Sequence, residues 1–457
     1  MKRKLFGQFR IRIRLNIVFR LNLGRKEEIW GDKKTEGDKR VKTKRAMVFA
    51  SVLLCTFLSL NPTIQQMVQV PDHGEQTQVA IPRLSGILSH LIEVKEIPEF
   101  NSVMATSTKN PEVIQVSYKL FGIFPLKTSE IQVMPNLKLL PGGQSIGVSL
   151  QAKGVMVVGQ AAVQSEDGKL VYPAKEAGIE VGDVILKVDG QEVYSDQDVA
   201  NAIHRAGEKQ GYSELFMTHK GEPIQKRVTS TYCAETKRFR IGLYVRNEAA
   251  GVGTLTFYEP ESKKYGALGH VINDADTNQR IDVLNGNVVA STIFAIEKGK
   301  RGHPGEKIGS FVNQSKFTGN IEKNCISGIF GSLEGEINNP YFKEPIPVAW
   351  ESEVKEGPAK IYTVLEGEKI EEYTVQIERI MKNRTDSKNM VVRVTDSKLL
   401  EKTGGIIQGM SGSPIVQDGK IVGAITHVFV NDASRGYGVF IQNMLNETGL
   451  LEKNQAA

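Results

Sequence analysis

From residue 113 onward, apolar positions recur mostly at every second residue, in short runs broken by glycine and other turn residues. This is the pattern of half-buried strands. Residues 113–133 read as two such strands. Residues 240–245, 253–257, 361–365, 390–394 and 421–425 read as further ones. Helix-length periodicity is nearly absent after 235 until the last dozen residues, so 235–457 is expected to form an all-β barrel or sandwich arrangement. One block departs from the rule. Residues 174–182 read as a short helix closed by Gly178, 183–188 as a strand, and Asp189-Gly190 as a tight hairpin turn. Ser195 and Asp198 have capping-box spacing and open a helix that puts Val199, Ala202, Ile203 and Ala206 on one face.

The first sixty residues have another texture. Residues 46–60 carry no charge and follow Lys42, Lys44 and Arg45. A positive flank before an apolar run is the pattern of a secretory signal or an uncleaved signal anchor. The run is short for a span, which takes about 20 residues, so cleavage stays open. Cys55 follows Leu54 rather than a small residue, which argues against a lipoprotein cysteine. The expected order is a basic cytoplasmic tail (1–45), a signal anchor or signal peptide (46–62), and a linker with short strands (63–135). Everything after Pro62 lies outside the cytoplasm, and the membrane is a partner through 46–60.

Charge separates the same regions. Residues 1–45 hold 16 Lys and Arg against five acids, a net of +11, which leaves −5 for the rest of a chain whose total is +6. The basic character belongs to the tail, and a mildly acidic body argues against nucleic-acid binding. Forty-four glycines with only 7% aromatics agree with strands and turns. Cys233 and Cys325 are too few for a disulfide framework and either pair or remain thiols.

The helix-strand-turn-helix block resembles a PDZ domain of the protease-associated kind, expected at 136–230. The resemblance implies an extended peptide added as a strand between a sheet edge and the last helix. The peptide carboxylate would be received on the glycine-rich stretch Gln144, Ser145, Ile146, Gly147 and Val148. A plain turn at Gly143 and Gly147 is the bland alternative.

Gly409-Met-Ser-Gly-Ser-Pro414 is the strongest chemical signal. A serine between glycines on a tight turn exposes its hydroxyl, and the N–H groups of Gly409 and Ser411 can converge on an oxyanion. The stretch resembles the nucleophile turn of chymotrypsin-fold serine peptidases; an incidental serine in a hairpin is the alternative. A serine needs a base, most often histidine. His270, in Tyr265-Gly-Ala-Leu-Gly-His270, precedes Ser411 by 141 residues, which fits a base on one barrel and a nucleophile on the next. His303 stands in a turn, and His427 ends the strand after the serine. For the orienting acid, no Asp lies between Asp282 and Asp386. Asp396 follows a strand just before the serine turn and is the leading choice, with a helix N-cap or loop carboxylate as its alternative reading. Asp274, Asp276 and Asp282 are runners-up.

The apolar segment, Pro141–Val148, the PDZ-like block and the two catalytic motifs occur in the order of the SpoIVB peptidase family of endospore-forming bacteria, which the chain resembles over about 46–450. The resemblance implies a mainly β chain: an N-terminal anchor or signal segment, a PDZ-like α+β domain, and a chymotrypsin-like double β-barrel peptidase domain at 235–457. It implies a catalytic His270, Asp396 and Ser411, with no cofactor and no metal. It further implies a forespore-membrane enzyme acting in the space between forespore and mother cell. Such an enzyme cleaves itself and then a membrane-bound regulator of sigma-factor processing. The rival readings are an exported PDZ scaffold with a dead peptidase-like domain and a periplasmic-type quality-control protease. In the latter the PDZ normally follows the protease domain, whereas here it precedes it.

Overall fold

In the computed structural model the described residues are 44, 45, 47–53, 73–76, 92–96, 112–120 and 123–453, apart from 313 and 383. Residues 44, 45 and 47–53 are helical, with Met47, Phe49 and Leu53 exposed. No helix among the described residues is long and apolar enough to cross a membrane. The basic tail before residue 44 and the rest of the apolar run, 54–60, lie outside the described residues.

The segment expected as a linker with short strands holds four strands joined in one sheet, two of them at the expected 113–133. His73–Gln76, Phe124–Val133, Glu112–Leu120 and Ile92–Glu96 pair in that order. Val116 and Tyr118 of its central strand are fully buried, so their alternation finds a core.

Two six-stranded barrels follow. The first is closed by Ser145–Gln160, Val283–Glu297, Phe317–Asn320, Gly328–Gly335, Lys264–Ala267 and Leu243–Tyr258, the last returning to pair with the first. Ile146, Val148, Leu150, Leu255, Val288 and Leu333 fill it. The second barrel runs Gly357–Val364, Ile370–Ile380, Met390–Val394, Asp432–Phe440, Lys420–Phe429 and Pro414–Gln417. Ile361, Val375, Val392, Ile415 and Ile425 fill it. Phe257 and Phe330 of the first barrel pack with Trp350, Ile421 and Val439 along the seam, so the two barrels share buried apolar surface. At roughly 25 cal/mol per Å² of apolar area removed from water, that surface holds the two walls of the cleft in place.

The PDZ block is as the pattern predicts, with different edges. Pro173–Glu176 and Asp196–Gln210 are helices, and Ser195 caps the second by accepting the Asp198 N–H at 3.0 Å. Asp189 and Gly190 both have positive φ, the turn that joins Val184–Val188 to Gln191–Glu192. Val199, Ala202 and Ile203 are buried on the sheet.

The boundary expected at 136 is corrected. Ser145–Gln160 is one strand serving two domains: up to Ala152 it pairs with Val283–Ala290 of the barrel, and from Val155 with Val184 and Ile185 of the PDZ sheet. The switch falls at Gly154 (φ +93°). Gln144–Val148 is therefore not a PDZ loop. Gly147 lies between Val289 and Val252 inside the first barrel, where both of its neighbours are already strands. The strand beside the PDZ helix is Arg238–Arg240, where Phe239 donates its N–H to His204 Nδ1 at 3.3 Å; Leu243–Arg246 pairs with Met156–Gln160, and Leu243 and Val245 pack on the PDZ core.

Candidate active site

His270 reaches the cleft by a sharp turn at the end of Lys264–Ala267. Leu268 and Gly269 both have positive φ. A Cβ on Gly269 would come within 2.8 Å of the Thr426 methyl, so glycine serves both the turn and the close approach of the barrels. Ser411 comes from the other side. Its turn is pinned by two buried threonines of Leu243–Tyr258. Thr254 donates its N–H to the Ser411 carbonyl (3.0 Å) and its hydroxyl to the Gly409 carbonyl (2.8 Å); Thr256 donates its hydroxyl to the Gly412 carbonyl (2.8 Å). Gly412 has φ +93°, and a Cβ there would sit 2.0 Å from the Thr254 carbonyl. Among the described residues, the N–H groups of Gly409 and Ser411 donate no hydrogen bond, which leaves both for an oxyanion.

His270 and Ser411 line one cleft of about 580 Å³ between the barrels. Its walls include Val148, Ala249–Val252, Ile406, Thr426 and His427. The His270 Nδ1 lies 2.8 Å from the Val271 carbonyl. A carbonyl only accepts, so Nδ1 carries the proton and Nε2 keeps its lone pair, the tautomer a general base needs. Burial lowers the His270 pKa, partly offset by that carbonyl, so the ring is neutral at neutral pH. The Ser411 hydroxyl is turned away and donates to the Thr426 carbonyl at 2.5 Å.

The ring beside His270 is His427, with centroids 5.0 Å apart and a 44° tilt. Desolvation in the cleft and the neighbouring imidazole hold the His427 pKa below the ordinary histidine range.

The structure does not bring Asp396 to His270. Asp396 caps the Ser397–Thr403 helix: one carboxylate oxygen accepts the Leu399 N–H (3.0 Å) and the other the Thr374 N–H (3.3 Å). The open N–H groups of a helix start compete for a carboxylate at that position. The runners-up are held elsewhere as well. Asp274 accepts three bonds within its own turn, Asp276 pairs with Arg246, and Asp282 with Arg280. His303 closes a turn with Lys300, outside the cleft. Cys233 and Cys325 are free thiols.

Sequence reasoning missed Thr254, Thr256 and Lys307, which hold the nucleophile turn from another domain half. Lys307 lies in Glu306–Phe311, is only 5% exposed, and bonds to Thr363 (2.8 Å) and Thr254 (3.3 Å). Nothing in the Glu306-Lys-Ile-Gly sequence distinguishes it from a solvated strand lysine.

Residues 237–445 match the family model for the SpoIVB peptidase S55, and residues 171–210 match that for a PDZ domain. None of the curated proteins matches the chain. Among solved structures, the PDZ domain of the SdrC-like protein from Listeria monocytogenes is 23% identical and covers 20% of this chain and 87% of its own, with a TM-score of 0.16. The active form of the Rv3671c protease from M. tuberculosis is 14% identical, covering 44% of this chain and 75% of its own, with a TM-score of 0.25. Its inactive form is 15% identical, covering 43% and 84%, also at 0.25. The two family matches fall on the PDZ block and on the double barrel that holds His270 and Ser411, and the chain carries a SpoIVB peptidase S55 domain over residues 237–445 with a PDZ match preceding it.

Proposed function

We propose that the protein is an exported, self-cleaving serine endopeptidase that cuts a membrane-bound regulatory protein in the sporulation pathway controlling a sigma factor. The observation that carries this reading is the shared cleft. Ser411 and His270 face it from different barrels, with the Gly409 and Ser411 N–H groups open beside the serine. In the proposed reaction the Ser411 Oγ attacks the scissile carbonyl, His270 Nε2 takes the hydroxyl proton and passes it to the leaving amine, and the two N–H groups receive the oxyanion. Water then attacks the acyl-enzyme ester and restores the serine.

The Ser411 hydroxyl bonded to Thr426 and the capping Asp396 are features of an unengaged site. They fit a precursor whose self-cleavage allows Asp396 to join His270. In the PDZ unit Arg238–Arg240 lies along the Asp196–Gln210 helix, the place where a peptide strand would be added. Residues 46–60 would place the catalytic part in the space between forespore and mother cell. Expression of residues 63–457 with and without Ser411→Ala tests the reading. The unsubstituted protein is expected to fragment itself and the variant to stay intact; equal fragmentation would overturn it.

A further inference from the structure

Lys307 presents a problem that the proposed chemistry does not use. Its ammonium group would sit between the barrels with two hydroxyls as partners, Thr254 from the first and Thr363 from the second. Among the described residues it has no carboxylate partner. Isolated buried lysine is costly, because removing the charge from water is not repaid by hydroxyl groups. Burial accordingly lowers its pKa to about 7. A neutral amine offers two N–H donors, and two hydroxyl acceptors match them.

The same lysine is fastened to the nucleophile turn along its whole length. Its N–H donates to the Gln408 carbonyl at 3.0 Å, and Gln408 donates to the Gly305 carbonyl at 2.7 Å. Its aliphatic stem packs against Gly409 so tightly that an added Cβ there would lie 3.0–3.1 Å from the Lys307 Cβ, Cγ and Cδ. The Thr254 hydroxyl, which accepts from Nζ, donates its own proton to the Gly409 carbonyl. That donation fixes the plane of the peptide following Gly409, which lies between the Gly409 and Ser411 N–H groups. If this peptide rotates, the neighbouring Gly409 and Ser411 N–H groups lose their convergence.

We infer that Lys307 is a positioning residue for the oxyanion side of the active site, acting through Thr254 on the Gly409 peptide. The inference rests on the serine peptidase reading of Ser411, and it assigns to a buried amine from a different barrel the task of holding that site open. The chain Lys307 Nζ–H, Thr254 Oγ–H, Gly409 C=O works as a unit, because the amine occupies a lone pair of the threonine oxygen and so directs the hydroxyl proton to the Gly409 carbonyl.

The test compares Lys307→Met, Thr254→Val and Thr254→Ser in the full chain, with the rate of self-cleavage and hydrogen–deuterium exchange of the 405–413 segment as readouts. Methionine keeps the stem but removes the donor. Both Lys307→Met and Thr254→Val are expected to slow self-cleavage about 10- to 100-fold, below the roughly 10²–10³ lost with an oxyanion donor itself. The double variant should lose no more than either single one. Thr254→Ser, which keeps the hydroxyl, should restore the rate. Exchange at 405–413 should quicken in the first two variants and not in Thr254→Ser. An unchanged rate in Lys307→Met while the parent cleaves itself would overturn the inference and leave the peptidase reading standing. A parent that never cleaves itself would sink that reading instead, and unchanged exchange at 405–413 would then overturn the positioning role independently. Should Lys307→Met fail to fold, the Thr254 pair decides: equal rates in Thr254→Val and Thr254→Ser would reject the inference.

Discussion

Replacing Lys307 by methionine should change how stability depends on pH, and the size follows from the burial of its amine. In the folded protein the pKa falls from 10.5 to about 7. Between those values the unfolded chain holds the proton and the folded chain does not. Unfolding therefore takes up a proton, and stability rises with pH across this window by about 1.4 kcal/mol per unit. Below about pH 7 both states are charged and the penalty is constant; above about 10.5 both are neutral and it vanishes. The full span is on the order of 5 kcal/mol, an upper value because local relaxation lessens it. Urea unfolding of the parent and of Lys307→Met at pH 7, 8 and 9 isolates this residue, since other titrating groups cancel in the difference. The variant's advantage over the parent should shrink by about 2 kcal/mol between pH 7 and 9. Parallel curves for the two proteins would refute the argument that the amine is buried without a charged partner.

Other substitutions probe other parts of the account. Gly412→Ala must place a Cβ 2.0 Å from the Thr254 carbonyl at φ +93°, so it should lower stability by about 3 kcal/mol or more; an unchanged urea midpoint would contradict the packing. Asp396→Ala removes a helix cap and should cost about 1 kcal/mol. Asp396→Asn retains the capping oxygen and should keep that stability while slowing substrate cleavage by the processed enzyme about 10⁴-fold, the size of the equivalent change in trypsin. A fully active Asn variant would remove Asp396 from the proposed chemistry. A reporter fused after residue 70 should be active only outside the cytoplasm, and cytoplasmic activity would reverse the topology assigned to Lys42, Lys44 and Arg45.

How much was legible in the chain depended on range. The Ser195 cap, the Asp189-Gly190 turn and the buried face of the following helix are settled by residues within a few positions of one another, and they formed as their spacing predicts. Period-two alternation identified four of the twelve barrel strands, Leu243–Tyr258, Gly357–Val364, Met390–Val394 and Lys420–Phe429, for the same reason. Long-range pairing was not legible. Gly154 divides Ser145–Gln160 into two apparent strands, so the first half reads as part of the PDZ domain although its partners lie about 100 residues or more away in the first barrel. Lys307 looked solvated because the hydroxyls that receive it are 53 and 56 residues distant. Asp396 shows the limit of counting along the chain. Its place after a strand and before the serine turn suits a catalytic acid, yet it suits a helix cap equally, and the helix start is what holds it here.

The central claim is that Ser411 is a nucleophile activated by His270. Treatment with a fluorophosphonate, followed by mass spectrometry of the peptide containing residues 405–413, tests it most directly. The account predicts one adduct, on Ser411, absent from Ser411→Ala and reduced to background in His270→Ala, because members of such a unit fail together. An adduct on another residue, or undiminished labelling in His270→Ala, would contradict it.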